Sequence, residues 1–471
     1  MILIITFWSF LFPRDSLVQV NGNVNVSLSD AGNTPFWLRS LQYAQVPTQS
    51  PGLGVSVAFI KTYSTYKKYD FSFGLEANAW TGKKSDIFLS EAYLGAKRGK
   101  WELWMGMQKE LYGLGDSTLS SGFYAWSGNA VPLPKIKLAT REYLPIFHNF
   151  MGVHMTFSHG WLDNMGELKG AILHQKSLYI RIGKPKSKLN LFGGLNHQVQ
   201  WAGERKIYDK GPRAINRYPN SLSTYFYIIT ALKNRSIVPL DPLTSQDDLA
   251  NQFGNHLGSI DIAMRIRLKS GNLLIYKQTS YESGQVFTLV TADDGLSGIS
   301  FKRNSPSFID HVSAEFLYSG NQGSYISWIG KLFNVVDTHH GEIVPPFYNG
   351  ARSSGWSYSG NEIGTPLLMM DANTFLKNGD TFTFNSIKSF YVGIKGHLSA
   401  DYLFKIRASS SSYSYLVPKK GPELKQFSSS LSIIHPIKNK KSIWSASLGY
   451  DQGDMLPGNV GLLLSYSIHL K

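Results

Sequence analysis

The sequence predicts an all-β fold: a transmembrane antiparallel β-barrel of about 18 strands, its lumen occluded by long loops and a short N-terminal segment. Three observations predict it. The stretch Leu257 to Leu268 sets Gly258, Ile260, Ile262, Met264, Ile266 and Leu268 at even positions against Ser259, Asp261, Arg265 and Arg267 at odd ones. Successive strand side chains point to opposite faces, so one face is apolar and the other charged. The length matches the roughly 9–11 residues a tilted strand needs to cross a bilayer. The same pattern recurs from Tyr69 to the C-terminus, and past the N-terminus no apolar run is long enough for a transmembrane helix.

Composition agrees. A soluble chain of 471 residues would divide into about two or three domains, whereas closure makes one unit of any number of strands. The 25 Tyr, 27 Phe and 44 Gly suit aromatic girdles and tight turns. Cysteine is absent, which fits export to an oxidising envelope and excludes disulfides and Cys-based zinc sites. The 47 basic against 32 acidic residues give a net charge of +15, a field that favours polyanions. Acidic polysaccharide and the phosphates of lipopolysaccharide are the expected partners. The basic residues are scattered rather than clustered, so nucleic acid is not. No cofactor is implied.

Taken in order, residues 1–20 read as a leader. Ile2 to Phe12 (ILIITFWSFLF) resembles the apolar core of a secretory signal but lacks a preceding Lys or Arg; a buried strand is the alternative. Residues 21–52 form a short N-terminal strand and plug segment, with a strand over Gln19 to Leu28 and a helical turn at Phe36 to Tyr43. The barrel occupies 53–471. Leu53–Tyr63, Tyr69–Trp80, Asp86–Lys97 and Lys100–Met107 alternate clearly. Strands follow near 148–158, 171–182, 188–197, 257–268, 272–281, 295–302, 309–318 and 323–332. The last five lie near 387–397, 401–408, 424–435, 442–450 and 460–470. Long inserts at 108–147, 200–254 and 333–386 interrupt the pattern. Within the second, Ser221 to Leu232 suits either a strand or an apolar helix. A soluble sandwich or propeller would also alternate. Its packed sheets, however, would bury the charges that recur along these strands, and no blade-length repeat is present.

The inserts carry a resemblance that alternation cannot supply. GMQKELYGLGDSTLSSGFYAWSGNAVPLPKIKL from Gly106, ANQFGNHLGSID from Ala250, YKQTSYESGQVFTLVTADDGLSGIS from Tyr276 and FYNGARSSGWSYSGNEIGTPLL from Phe347 resemble the capsule-assembly Wzi family of outer-membrane proteins, in its Bacteroidetes-type branch. The resemblance implies an eighteen-stranded barrel closed by loops and a periplasmic helical part. It also implies a lectin-like role in holding capsular polysaccharide or exopolysaccharide at the cell surface, with contact to the export machinery. The short stretch before the first clear strand leaves no room for a helical bundle, and Lys471 departs from the usual aromatic or apolar ending.

Sugar recognition needs aromatic faces for stacking and polar groups for hydroxyls and carboxylates. Tyr124, Trp126, Asn129 and Arg141 in the first insert, with Tyr348, Arg352, Trp356 and Tyr358 in the third, are the candidate polysaccharide-binding residues. Arg takes a carboxylate bidentately, which Lys does not. The same residue types also pack and turn a plug inside a lumen. Enzymatic chemistry is not expected. His339-His340 lies near Asp337 and Glu342, but no metalloprotease or nucleophile-elbow spacing occurs, and Asp293-Asp294 and Asp247-Asp248 read as turn and cap residues. The competing function is a porin-like channel for sugars or small anions. Three long inserts exceed what one constricting loop requires, and so favour binding over conduction.

Overall fold

Asp261 is fully buried, and its neighbour Ile262 is 62% exposed. That inversion is the signature of a strand with lumen on one side and lipid on the other. The computed structural model describes residues 18–164, 168–206, 215–232, 252–282, 284–336, 347–348, 355–370, 384–414, 423–437 and 441–470. Among these, eighteen strands close into one antiparallel barrel. The first nine are β1 (Val18–Ser29), β2 (Gly52–Lys61), β3 (Tyr69–Gly82), β4 (Asp86–Arg98), β5 (Trp101–Met107), β6 (Lys135–Thr140, continued by Leu144–Ile146), β7 (Met151–Trp161), β8 (Ile172–Ile182) and β9 (Leu189–Trp201). The second nine are β10 (Asn255–Arg267), β11 (Gly271–Tyr281), β12 (Gly295–Arg303), β13 (His311–Tyr318), β14 (Ser386–His397), β15 (Leu403–Ser414), β16 (Leu424–Ile437), β17 (Ser442–Gly453) and β18 (Asn459–Leu470).

Each strand pairs with its sequence neighbours, and β1 closes the ring on β18: Val24 faces Val55 of β2 on one side and Tyr466 of β18 on the other. Closure leaves no unpaired edge, which is what allows a sheet to stand in lipid. Outward positions such as Leu94, Ile262 and Phe390 are exposed and apolar, and inward ones such as Ser259, Asp261 and Gln278 are buried and polar. No helix is long and apolar enough to cross a membrane among the described residues.

Three differences from the sequence reading have physical causes. The strand expected ahead of the barrel is β1, a member of the wall itself. The first insert ends sooner than expected, because Lys135–Thr140 forms β6. Its alternation of inward Lys135 and Lys137 with outward Ile136 and Leu138 is short and hidden behind Pro132 and Pro134. The strand expected over 323–332 is absent; a helical turn, Trp328–Leu332, stands there, with the Ser327 hydroxyl accepting from the Gly330 N–H. The ambiguous segment resolves as a helix, Leu222–Thr230, capped by Ser221, whose hydroxyl accepts from Thr224 N–H at 3.1 Å.

Strand direction alternates, so every connection from an odd to the next even strand lies at one end of the barrel. The strand ends that flank the long segments 30–51, 108–134, 202–254 and 319–385 all lie there. The opposite end has short turns such as Gly99-Lys100 and 268–270. In outer-membrane barrels short turns face the periplasm and long loops the outside.

Candidate functional site

Among the described residues, 33–46, 108–134, 347–348 and 355–370 turn inward and hydrogen-bond to side chains of the wall or to one another. Phe36 N–H donates to Asp451 of β17 at 2.9 Å, and the Trp37 indole to Ser409 of β15 at 3.0 Å. Leu114 N–H donates to Asp261 of β10 at 2.9 Å. Tyr124 N–H donates to Gln278 of β11 at 2.8 Å, and Ser121 N–H to Glu315 of β13 at 2.7 Å. Polar inward side chains that would otherwise face water are thus partnered by insert backbone.

Within the lumen the inserts bind one another. Trp356 donates its indole N–H to Ala125 O at 2.7 Å, and Ser127 N–H donates to Ile363 O at 2.8 Å. The Tyr348 hydroxyl donates to Tyr124 O. Asn129 donates to Glu362 Oε2 at 2.8 Å and accepts from Leu41 N–H at 3.1 Å, joining all three segments at one side chain. The Trp126 ring lies edge-on to Tyr112 at 5.7 Å and to Trp356 at 6.2 Å. Such aromatic pairs add about 0.5–1.5 kcal/mol each beyond area burial.

Six of the eight residues expected to touch sugar therefore meet at one place. Tyr124, Trp126, Asn129, Tyr348 and Trp356 are buried there, and Tyr358 is half-buried on a two-residue hairpin, Ser357–Tyr358 with Asn361–Glu362. The buried rings present no open face to solvent in this structure. Arg141 lies apart, at the short-turn end, 3.8 Å from Glu102 and 4.7 Å from the Tyr63 ring. Arg352 lies outside the described residues, as do His339-His340, Asp247-Asp248 and residues 1–17 of the expected leader; its last residues, Val18–Val20, belong to β1.

Buried charges hold this assembly. Glu110, from the first insert, meets Lys135 at 2.5 Å and also Lys137, both inward on β6, and accepts from the Tyr112 hydroxyl at 3.0 Å. Burial alone would raise the Glu110 carboxyl, but the two lysines outweigh it and hold it down to about 2. Lys135 also stands 4.2 Å over the Trp126 ring. Glu282 accepts from the Tyr124 hydroxyl at 2.7 Å and from Tyr348 N–H at 3.0 Å; burial pushes it up to about 8. Asp294 accepts from Asn321 and Gln322 N–H groups at 3.0 and 2.7 Å, a turn-capping role. Sequence reasoning missed the wall residues Gln278 and Glu315, Glu282 just beyond β11 and Glu362 on the insert hairpin, because nothing local distinguishes a residue with an insert partner from one facing water.

Ser300, His311 and Asp116 also meet. His311 Nε2 lies 2.5 Å from Asp116 Oδ2 and 3.2 Å from Ser300 Oγ, and Ser300 donates to the same Asp116 oxygen. A hydrolytic triad needs the serine on one imidazole nitrogen and the carboxylate on the other. Here one nitrogen faces both, so the cluster anchors the tip of the first insert to β12 and β13. No group of three or more potential metal ligands exists among the described residues.

No protein-family model matches the chain, and no curated protein matches it in sequence. Among solved structures it is similar to Wzi of Escherichia coli, an outer-membrane protein involved in group 1 capsule assembly and described as a carbohydrate-binding β-barrel. The TM-score is 0.60 at 13% identity, over 99% of this chain and 87% of that one. It is also similar to OccK5 of Pseudomonas aeruginosa, with a TM-score of 0.49 at 10% identity, over 98% of this chain and 99% of that one. The likeness to Wzi shows the fold: that of an outer-membrane β-barrel.

Proposed function

We propose that this barrel is a lectin-like protein of capsule or exopolysaccharide assembly that holds acidic polysaccharide at the outer face of the membrane, without a catalytic step. One observation carries the reading. Among the described residues, the inserts spend polar and aromatic groups on the inner wall and on one another, as with Trp356 on Ala125 O and Leu114 N–H on Asp261, which supports a closed lumen over a conduit. On this reading the inserts occlude the lumen and their outward surfaces, at the long-loop end, meet the polymer. The net charge of +15 supports an acidic partner. The fold neighbour's description as carbohydrate-binding supports the substrate class. Affinity comes from many weak contacts along a repeating chain, so it behaves as avidity and weakens with salt. Lipopolysaccharide surrounds the barrel, and polysaccharide export machinery is the partner that delivers the polymer.

The test pairs planar-bilayer conductance of the purified protein with retention of acidic polysaccharide by cells that carry or lack it. Negligible conductance together with lost retention in cells lacking the protein supports the reading. Steady, sugar-blockable conductance with unchanged retention replaces it with a porin-like channel for sugars or small anions.

A further inference from the structure

Beneath the inserts, at the short-turn end, the wall built by β1 and β15–β18 is of unusual composition. Its inward side chains are small and neutral: Asn23 and Asn25 on β1, Ser432 on β16, Ser445 and Ser447 on β17, Ser465 on β18. They enclose a cavity of about 290 Å³, roofed by the 37–46 segment. That is at the small end of ligand pockets, roughly 300–1,000 Å³, and suits one sugar unit.

Two cations enter this neutral field. Lys405 and Arg407 are two residues apart on β15, so they share the inward face about 7 Å from each other. Among the described residues no carboxylate pairs with either, and the buried Arg407 Nε has no hydrogen-bond partner. Asp116, the acid of the insert tip above, is already engaged by His311 at 2.5 Å and by Ser300. The Arg407 guanidinium lies 5.7 Å from the Trp37 ring. Two neighbouring cations with no carboxylate in contact among the described residues repel each other and call for an anion. The surrounding hydroxyls both donate and accept, as sugar hydroxyls require.

We propose that this vestibule is a second saccharide site, which receives one carboxylate-bearing sugar unit from the short-turn side. Arg407 and Lys405 take the carboxylate, and the serines take the hydroxyls. The site deepens the polysaccharide reading and rests on it for the source of the sugar. It places acidic polymer on the periplasmic side before it reaches the outer face.

The absence of cysteine supplies a clean probe. Ser432→Cys in the full chain, purified in detergent, is labelled with a maleimide in the presence of glucuronate, glucose or inorganic phosphate. Glucuronate is expected to slow labelling several-fold, glucose and phosphate much less. Adding Arg407→Gln should shift the protecting concentration by about tenfold or more, the scale of a charge-assisted hydrogen bond. Lys405→Gln should act in the same direction and carries the test if the arginine variant fails to fold, as judged by heat-modifiable gel mobility. Equal protection by glucose, equal protection by inorganic phosphate, no protection by glucuronate, or protection that survives both substitutions each overturns the site. Polymer retention by cells is scored separately. Retention without glucuronate protection removes only this site, and protection without retention removes only the lectin reading.

Discussion

Trp356 and Ala125, 231 positions apart in the chain, are joined by an indole N–H···O=C bond of 2.7 Å deep inside the barrel. That bond ties the third insert to the first. With Ser127 N–H on Ile363 O and Asn129 on Glu362, it joins the described residues of these two inserts into one hydrogen-bonded body. The wall has its own support in eighteen paired strands, so insert and wall should fail separately.

Trp356→Ala tests that separation. Large-to-small substitution of a buried aromatic costs about 3–5 kcal/mol, and here the loss falls on the insert body. The expected outcome is faster protease nicking within the inserts and raised conductance, with the heat-modifiable mobility of the barrel retained. Trp356→Phe, which keeps most of the volume but not the donor, should show a smaller change in the same direction. Conductance unchanged in the alanine variant would mean that the inserts do not depend on this contact.

Gly364 gives a second, independent handle. A Cβ at this position would overlap both the Tyr348 hydroxyl and the Tyr124 carbonyl, the pair that joins the same two inserts. Gly364→Ala should therefore loosen the inserts without removing any contact atom. Nicking should accelerate at the long-loop end only. A variant that nicks at the wild-type rate would show that the Tyr348–Tyr124 pair shifts without consequence.

The wall was largely legible in the sequence, because a strand between lumen and lipid must alternate, and Asp261 beside Ile262 does so wherever one begins to count. Lys135–Thr140 escaped because six residues cannot establish a period next to two prolines. The 323–332 segment misled because Tyr325, Ile326, Trp328 and Ile329 favour strands, while Ser327 is in fact a helix cap. The location of the aromatic inserts was legible, but their orientation was not. Trp and Tyr serve sugar stacking and internal packing equally well, and only partners such as Ala125 O or Glu282 tell the two apart. The polar quarter of the wall left a signal that could have been read: serines at alternate positions on β15, β16, β17 and β18.

Glu282 predicts a pH dependence. Its carboxyl is raised by burial to about 8 from 4.5, so between those values the folded state binds the proton that the unfolded chain releases. Stability from this group is therefore highest at low pH and falls as pH rises toward 8. Glu282→Gln removes the titration while preserving an acceptor for the Tyr124 hydroxyl. Insert protection in the variant should vary less between pH 5 and 8 than in the wild type. An unchanged slope would assign the dependence to other groups, Asp294 first, which burial also raises, to about 7.

Glu110 predicts the opposite sign. Held at about 2, it contributes stability that is complete above about pH 4.5 and is lost as pH falls through its folded value. Glu110→Gln removes the anion and leaves Lys135 and Lys137 buried side by side on β6, a change of the kind that costs about 3–5 kcal/mol. Since both lysines belong to the wall and Glu110 to the insert, the expected result is expulsion of the 108–119 segment from β6, read as new protease sites there, with the barrel still closed. Replacing all three residues by Met should restore protection, because the lost attraction is then accompanied by the loss of the desolvation cost. Restoration would identify the triad as a device for registering the insert on the wall. Failure of the triple variant, with Glu110→Gln alone well tolerated, would show that Tyr112 and Trp126 seat the insert without it.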